Sequence, residues 1–209
     1  MSVTGTNSAS GAKAPITWAQ CSYLIRADIY RVHGRTGAKG IASTLLANPR
    51  SRLLLSYRLG RYARSGPRRH RILRLLTSVL HRHWTFRTQV ELPFGFSAGP
   101  GLALLHVTGH IIIGSGAVLG SGVTLFPGVV VVGPTVIGDR VTLFPGAKVQ
   151  SRTEIGDGAQ IAANGVVTRA IPAGSVAAGA PARVLEGRIP RPIKNLDWER
   201  VLGPMPSPA

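Results

Sequence analysis

The residue types able to do chemistry are few in this chain. Across 209 residues there are six histidines, one cysteine and eight acidic side chains. The lone Cys21 allows no intrachain disulfide, and a reducing compartment follows as the expectation. His81 and His83 frame Arg82 near the end of a helical stretch. They read either as a metal pair or as surface histidines at the negative end of a helix dipole; with no cysteine or carboxylate nearby, the second reading is preferred and no metal is expected. His33, His70, His106 and His110 remain, and the last two stand just ahead of a long repeat. An imidazole near pKa 6.5 is suited to take a proton from a hydroxyl, which is far too weak an acid to ionise near neutral pH. A carboxylate on its far nitrogen would fix the tautomer, and backbone N–H groups could hold an oxyanion. The alternative for His106 is a structural histidine at the start of the repeat.

The elements that must position these residues are written in the repeat. Every sixth residue from Ile113 to Val167 is aliphatic: Ile113, Leu119, Leu125, Val131, Ile137, Leu143, Val149, Ile155, Ile161, Val167. Val123-Thr-Leu-Phe-Pro-Gly128 returns as Val141-Thr-Leu-Phe-Pro-Gly146, so a period of 18 overlies the period of six. On an α-helix, residues six apart stand about 240° apart and would bury no face. On extended chain they point the same way. The fourth residue after each aliphatic is mostly small, from Ala117 to Gly165, and the intervening Gly, Pro, Asp and Ser can turn corners; Asp139 and Asp157 fall at such corners. The simplest object is a three-sided parallel β-helix with six residues per side, each coil hydrogen-bonding its neighbours. A membrane span is the rival, since no charged residue lies between Glu91 and Asp139, but the density of glycine and the unbroken six oppose it.

Upstream, about Thr17 to Arg87 has helical spacing. Leu24, Ile25, Ile29 and Val32 fit one stripe. Pro49 starts a second helix, with Leu53, Leu54, Tyr57, Leu59 and Tyr62 apolar before Ser65-Gly66. Pro67 opens a third, with Ile72, Leu73, Leu75, Leu76, Val79 and Leu80 as its apolar positions. The chain divides into a disordered lead-in at 1–15 without the apolar core of a signal peptide, a helical region at 16–88, the β-helix at 89–185 and a tail at 186–209. The net charge is +17, and fourteen arginines lie between Arg26 and Arg87. Aromatic residues there are sparse and no nucleic-acid-binding signature is present. The reading is a solvated basic helical face, or one drawn to anionic lipid or polyanion, without sequence-specific nucleic-acid binding. Peripheral membrane contact stays open, and the expected compartment is the cytoplasm.

The repeat resembles the hexapeptide-repeat, left-handed β-helix acyltransferases. Arg26-Ala-Asp-Ile-Tyr-Arg31-Val-His-Gly34, Leu46-Ala-Asn-Pro49 and Tyr57-Arg-Leu-Gly-Arg-Tyr62 are similar to the helical part of serine acetyltransferases, and more so to colanic-acid-type acetyltransferases of polysaccharide clusters. Gln89-Val-Glu-Leu92, Gly99-Pro-Gly-Leu102, Leu105-His-Val-Thr-Gly109 and Ala177-Ala-Gly-Ala-Pro-Ala-Arg-Val184 extend the resemblance from about Ile25 to Leu185. It implies a mainly β chain: a left-handed parallel β-helix with an N-terminal α-helical region, assembled as a trimer or a dimer of trimers. It implies acetyl-CoA as co-substrate, held between neighbouring prisms, and a small-molecule hydroxyl as acceptor. It implies His106 as general base, with His110 as the second candidate. The partner carboxylate of the family falls at Glu91, where serine enzymes usually carry Asp, and the loop after His106 is one residue longer than in those enzymes. Pro145 and Ala163 fall beside the pantetheine arm, Gly133 also falls to the cofactor, and Thr168, Arg169 and Arg183 fall at the nucleotide and its phosphates; arginine is a good phosphate fork. Ordinary surface charge is the alternative for Arg169 and Arg183.

Two departures bear on the acceptor. Leu105 replaces the aspartate that precedes the family histidine. The family's loop with an Arg-His pair, which would suit a serine carboxylate, corresponds to Val132-Gly-Pro-Thr135, where the period of six leaves no room for it. The acceptor is therefore L-serine, a serine-like molecule, or a sugar of a polysaccharide or natural product. A hexapeptide scaffold without catalysis is the reading from another class.

Overall fold

The computed structural model describes residues 15–35, 37–67, 70–106, 109–191 and 197–207, so the expected disordered lead-in lies almost wholly outside the described residues. Four helices come first: α1 Trp18–His33, α2 Gly37–Ala47, α3 Pro49–Ser65 and α4 Arg71–Thr88. Thr17 closes a capping box with Gln20 at the start of α1, and Asn48 caps α3 with Pro49 in its first turn. The helix expected to open at Pro67 is α4, which starts at Arg71.

Short parallel strands then stack in three sheets. The first face holds β1 Val90–Glu91, β4 Ile111–Ile113, β7 Val130–Val131, β10 Lys148–Val149 and β13 Val166–Val167. The second holds β2 Ser97–Ala98, β5 Val118–Leu119, β8 Val136–Ile137 and β11 Glu154–Ile155. The third holds β3 Ala103–Leu104, β6 Thr124–Leu125, β9 Thr142–Leu143, β12 Gln160–Ile161, β14 Val176–Ala178 and an antiparallel end strand, β15 Arg183–Val184. The chain visits first, second and third face in turn, which makes a three-sided solenoid.

Its core is the row of aliphatics. All ten residues from Ile113 to Val167 are at most 2% exposed, and the small residues at the fourth position line the same interior. Thr124 pairs with Thr142, Val130 with Lys148 and Val136 with Glu154, each 18 residues on. The period therefore passes through 131–137 without insertion. Asp139 and Asp157 turn corners as expected: the Asp139 carboxylate accepts from Ser121 N–H, and that of Asp157 from Asp139 N–H, both at 2.7 Å.

The first coil lies under the helices, and three of the arginines read as a solvated basic face are buried there, while Arg26, Arg35, Arg64, Arg71, Arg82 and Arg87 are exposed. Arg31, Arg50 and Arg58 are 2–4% exposed. Arg58 makes a paired ion pair with Asp28 (2.8 and 3.0 Å) and donates to the Ala98 and Gly99 carbonyls, both at 2.7 Å. Asp28 in turn accepts from Leu102 N–H at 2.9 Å. Arg31 donates to Gly101 and Val123 carbonyls and to Thr124 Oγ1. The physical reason is the open end of the solenoid. The first coil has no preceding coil to use its backbone groups, so the carbonyls of Ala98, Gly99 and Gly101 accept from buried guanidinium groups instead.

His81 also departs from expectation. It is 7% exposed, its Nε2–H donates to the Leu92 carbonyl at 2.8 Å, and Nδ1 lies 2.9 Å from Ser56 Oγ. Burial pushes its pKa below the ordinary value. It ties α4 to α3 and the first coil; His83 is exposed, as expected. The end of the chain is likewise built in. Gln160 binds Arg191, and α5 Trp198–Leu202 packs on α1, with Trp198 5% exposed beside Tyr23 and Ala27.

Candidate active site

Pairing of the first coil with the second is offset by 21 residues rather than 18: Val90 pairs with Ile111, and Ala103 with Thr124. The three extra residues lie between Leu104 and Ile111, at the edge where the third face turns into the first. This is the segment that carries His106. The offset breaks an otherwise constant register of 18.

His106 is exposed and adopts φ 61°, left-handed backbone. Such a φ is uncommon outside glycine. What over-determines this loop is Arg50, whose guanidinium donates to the Leu105 carbonyl (2.6 Å) and to the Gly109 carbonyl (2.7 Å), on either side of the histidine. The imidazole lies 5.7 Å from the ring of Phe126, which stacks at 5.3 Å on Phe144 one coil further on. An aromatic column thus runs down the edge from the histidine. Neither Phe126, Phe144 nor Arg50 stands out as a site residue in the sequence; the signal for the two phenylalanines was their return within the repeated Val-Thr-Leu-Phe-Pro-Gly.

The other expected site residues fall into two groups. Pro145 and Ala163 are exposed on the same edge as His106, in the column of Pro127, and Arg183 follows the turn at 179–182 on that edge. Gly133, Thr168 and Arg169 lie on the next edge, where the first face turns into the second. Gly133 has a packing reason of its own: a Cβ there would meet the Ser115 carbonyl oxygen at 2.0 Å. The first face separates the two edges by about six residues, at most roughly 20 Å of extended chain.

Glu91 is exposed on that intervening face. Among the described residues, no hydrogen bond or ion pair joins it to His106. It lines instead a groove of about 940 Å³ with His110, Ile112 and Ser115, walled by His81 and Phe86 of α4. Cys21 is buried, and burial pushes its thiol up to about 11, so it is protonated and no nucleophile. Among the described residues, no three His, Cys, Asp or Glu side chains gather to hold a metal ion.

Residues 134–169 match the family "Bacterial transferase hexapeptide (six repeats)". No curated protein matches the sequence. A serine acetyltransferase solved in complex with CoA is 25% identical over 79% of this chain and 68% of its own, with a TM-score of 0.62. The soybean serine acetyltransferase apoenzyme is 25% identical over 79% and 69%, with a TM-score of 0.63. The serine acetyltransferase of Vibrio cholerae O1 biovar El Tor N16961 is 26% identical over 78% and 65%, with a TM-score of 0.64.

Proposed function

We propose that this chain, a hexapeptide-repeat solenoid with the fold of serine acetyltransferases, is an acetyl-CoA-dependent O-acetyltransferase that assembles as a homotrimer or dimer of trimers in the cytoplasm. The observation that carries the reading is His106. It is an exposed imidazole on a loop that departs from the repeat, and it shares one edge with Pro145, Ala163 and Arg183. In the mechanism, His106 takes the proton of the acceptor hydroxyl as the oxygen attacks the thioester carbonyl. The acetyl group passes to that oxygen, and the sulfur leaves as CoA. The pantetheine arm runs along the edge past Phe144, Pro145 and Ala163. Arg169 and Arg183 meet the phosphates by charge-assisted hydrogen bonds.

The division of these residues between two edges supports an intersubunit site. The edge bearing His106 in one prism faces the edge bearing Gly133, Thr168 and Arg169 in the next. Val118, Val132 and Val136, each 40–48% exposed around that second edge, support such an apposition. Glu91 supplies the site's carboxylate. Because it shares a groove with His110, a second reading makes His110 the base.

The acceptor is L-serine or a serine-like small molecule, with a sugar hydroxyl as the alternative. The uninterrupted coil at 131–137 favours the acceptors that carry no carboxylate. Release of free thiol from acetyl-CoA, measured across L-serine, amino alcohols and sugars, tests this. At least one acceptor is expected to raise the rate above hydrolysis. If none does, the enzyme reading fails and a non-catalytic scaffold replaces it.

Arg50 gives a sharper expectation. Arg50→Ala frees both ends of the His106 loop, and misplacement of a base by about 1 Å costs up to ~10²-fold. Steady-state kinetics should show kcat falling on that scale with KM for acetyl-CoA little changed. Arg50→Lys should recover only part, since an ammonium group lacks the planar fork that spans two carbonyls.

A further inference from the structure

Helix α4 is amphipathic in the reverse sense. The face it turns towards the protein buries Thr77, His81 and Thr88, while Ile72, Leu75, Leu76, Val79, Leu80 and Phe86 are 40–74% exposed. The buried polar groups are satisfied: Thr77 donates to the Leu73 carbonyl and Thr88 to that of Trp84, each at 2.7 Å, and His81 is bonded at both nitrogens. The two threonine bonds close within α4; His81, Arg74 and Trp84, which packs on the core, tie the helix to the rest of the protein, and the exposed apolar stripe takes no part. A single exposed leucine is ordinary, but a contiguous stripe at helical spacing marks a surface that meets something apolar.

Charge decides what that is. The 18 residues of α4 include Arg71, Arg74, Arg82 and Arg87 and no acidic side chain, and none occurs anywhere between Asp28 and Glu91. Arg74 is engaged with the Ala63 and Gly66 carbonyls, whereas Arg71, Arg82 and Arg87 are exposed along the stripe. A second copy of α4 laid on this face would bring arginine against arginine with no carboxylate to answer it. An anionic lipid surface answers both features at once, with acyl chains for the stripe and headgroup phosphates for the arginines. Among the described residues no helix is long and apolar enough to cross a membrane, so the contact lies in the plane of the interface.

We propose that α4 docks this protein onto an anionic membrane surface through Ile72, Leu75, Leu76, Val79 and Leu80, flanked by Arg71, Arg82 and Arg87. The inference is independent of the acetyl-transfer reading. It is tested with the full chain and sedimentable vesicles of phosphatidylcholine alone or mixed with phosphatidylglycerol. Binding is expected to the mixed vesicles only and to weaken as salt rises. Leu76→Glu with Val79→Glu should lower vesicle affinity by at least about tenfold, and a melting curve checks its fold. Arg71→Gln, Arg82→Gln and Arg87→Gln together keep the stripe and should abolish the preference for the anionic lipid. Equal binding to both vesicle types, or undiminished binding by the Glu variant, overturns the proposal. So does a change in the Glu variant's oligomeric state by light scattering, which would make this face a contact between copies of the chain.

Discussion

Asp28→Ala is expected to lower the stability of this chain by about 3–5 kcal/mol, the cost of stranding a buried charge. The Asp28 carboxylate binds Arg58 at both oxygens and accepts from Leu102 N–H, and Asp28 and Arg58 are each 3% exposed. Without it, Arg58 keeps its two carbonyl acceptors at Ala98 and Gly99 but loses its counter-charge, and Leu102 N–H loses its acceptor. Removing both partners, as in Asp28→Leu with Arg58→Met, often comes close to neutral for an isolated ion pair. Here it should not, because the carbonyls of the first coil would then lose their donors. Denaturant unfolding of the two single variants and the double variant measures this. A single-variant loss under about 1 kcal/mol, the range of a solvent-exposed pair, would contradict the buried reading.

The largest expected effect on activity is at His106. Loss of a general base costs roughly 10²–10⁴-fold. His106→Asn is the cleaner substitution, because asparagine tolerates the left-handed backbone at φ 61° while removing the proton acceptor. The side chain is exposed, so the melting temperature should barely change. Turnover of the acceptor that releases most thiol should fall by that factor, with KM for acetyl-CoA nearly unchanged. His110→Asn should retain most activity. The opposite ranking would move the base to His110, the histidine that shares a groove with Glu91.

How much of this was legible in the sequence follows from the range of the interactions. The solenoid was legible because its order is repeated: a row of aliphatics every six residues predicts both the buried interior and the 18-residue register, from Thr124–Thr142 to Val130–Lys148. The placement of Pro145 and Ala163 in one column follows from the same arithmetic. The helical end was legible only as helices. Arg58 meets carbonyls 40 and 41 residues away, and Arg31 one 92 residues away, and no local pattern announces such partners. An arginine read as solvated charge was therefore a buried cap. His81 reads as a surface residue because its partners, Ser56 on α3 and Leu92 in the first coil, lie outside its own helix. In α4 the apolar periodicity correctly marked a helix, yet periodicity alone does not say which side of a helix the protein covers.

The constant register gives the edge that carries His106 the character of a graduated scale. Leu104, Leu125, Leu143 and Ile161 pair in succession, so the histidine's coil and that of Ala163 are three steps apart, about 14 Å at roughly 4.8 Å per step. A linear molecule lying along this edge is read at fixed intervals, and the gap between its reacting end and its anchored end is set in whole coils. Gain or loss of 18 residues would lengthen or shorten the measure by one graduation and leave every column intact. A change of six would rotate the downstream marks onto the wrong side of the prism. On the proposed function, the length of thioester donor that this edge accommodates is set by the count of coils, adjustable in discrete increments without touching the residues assigned to the chemistry.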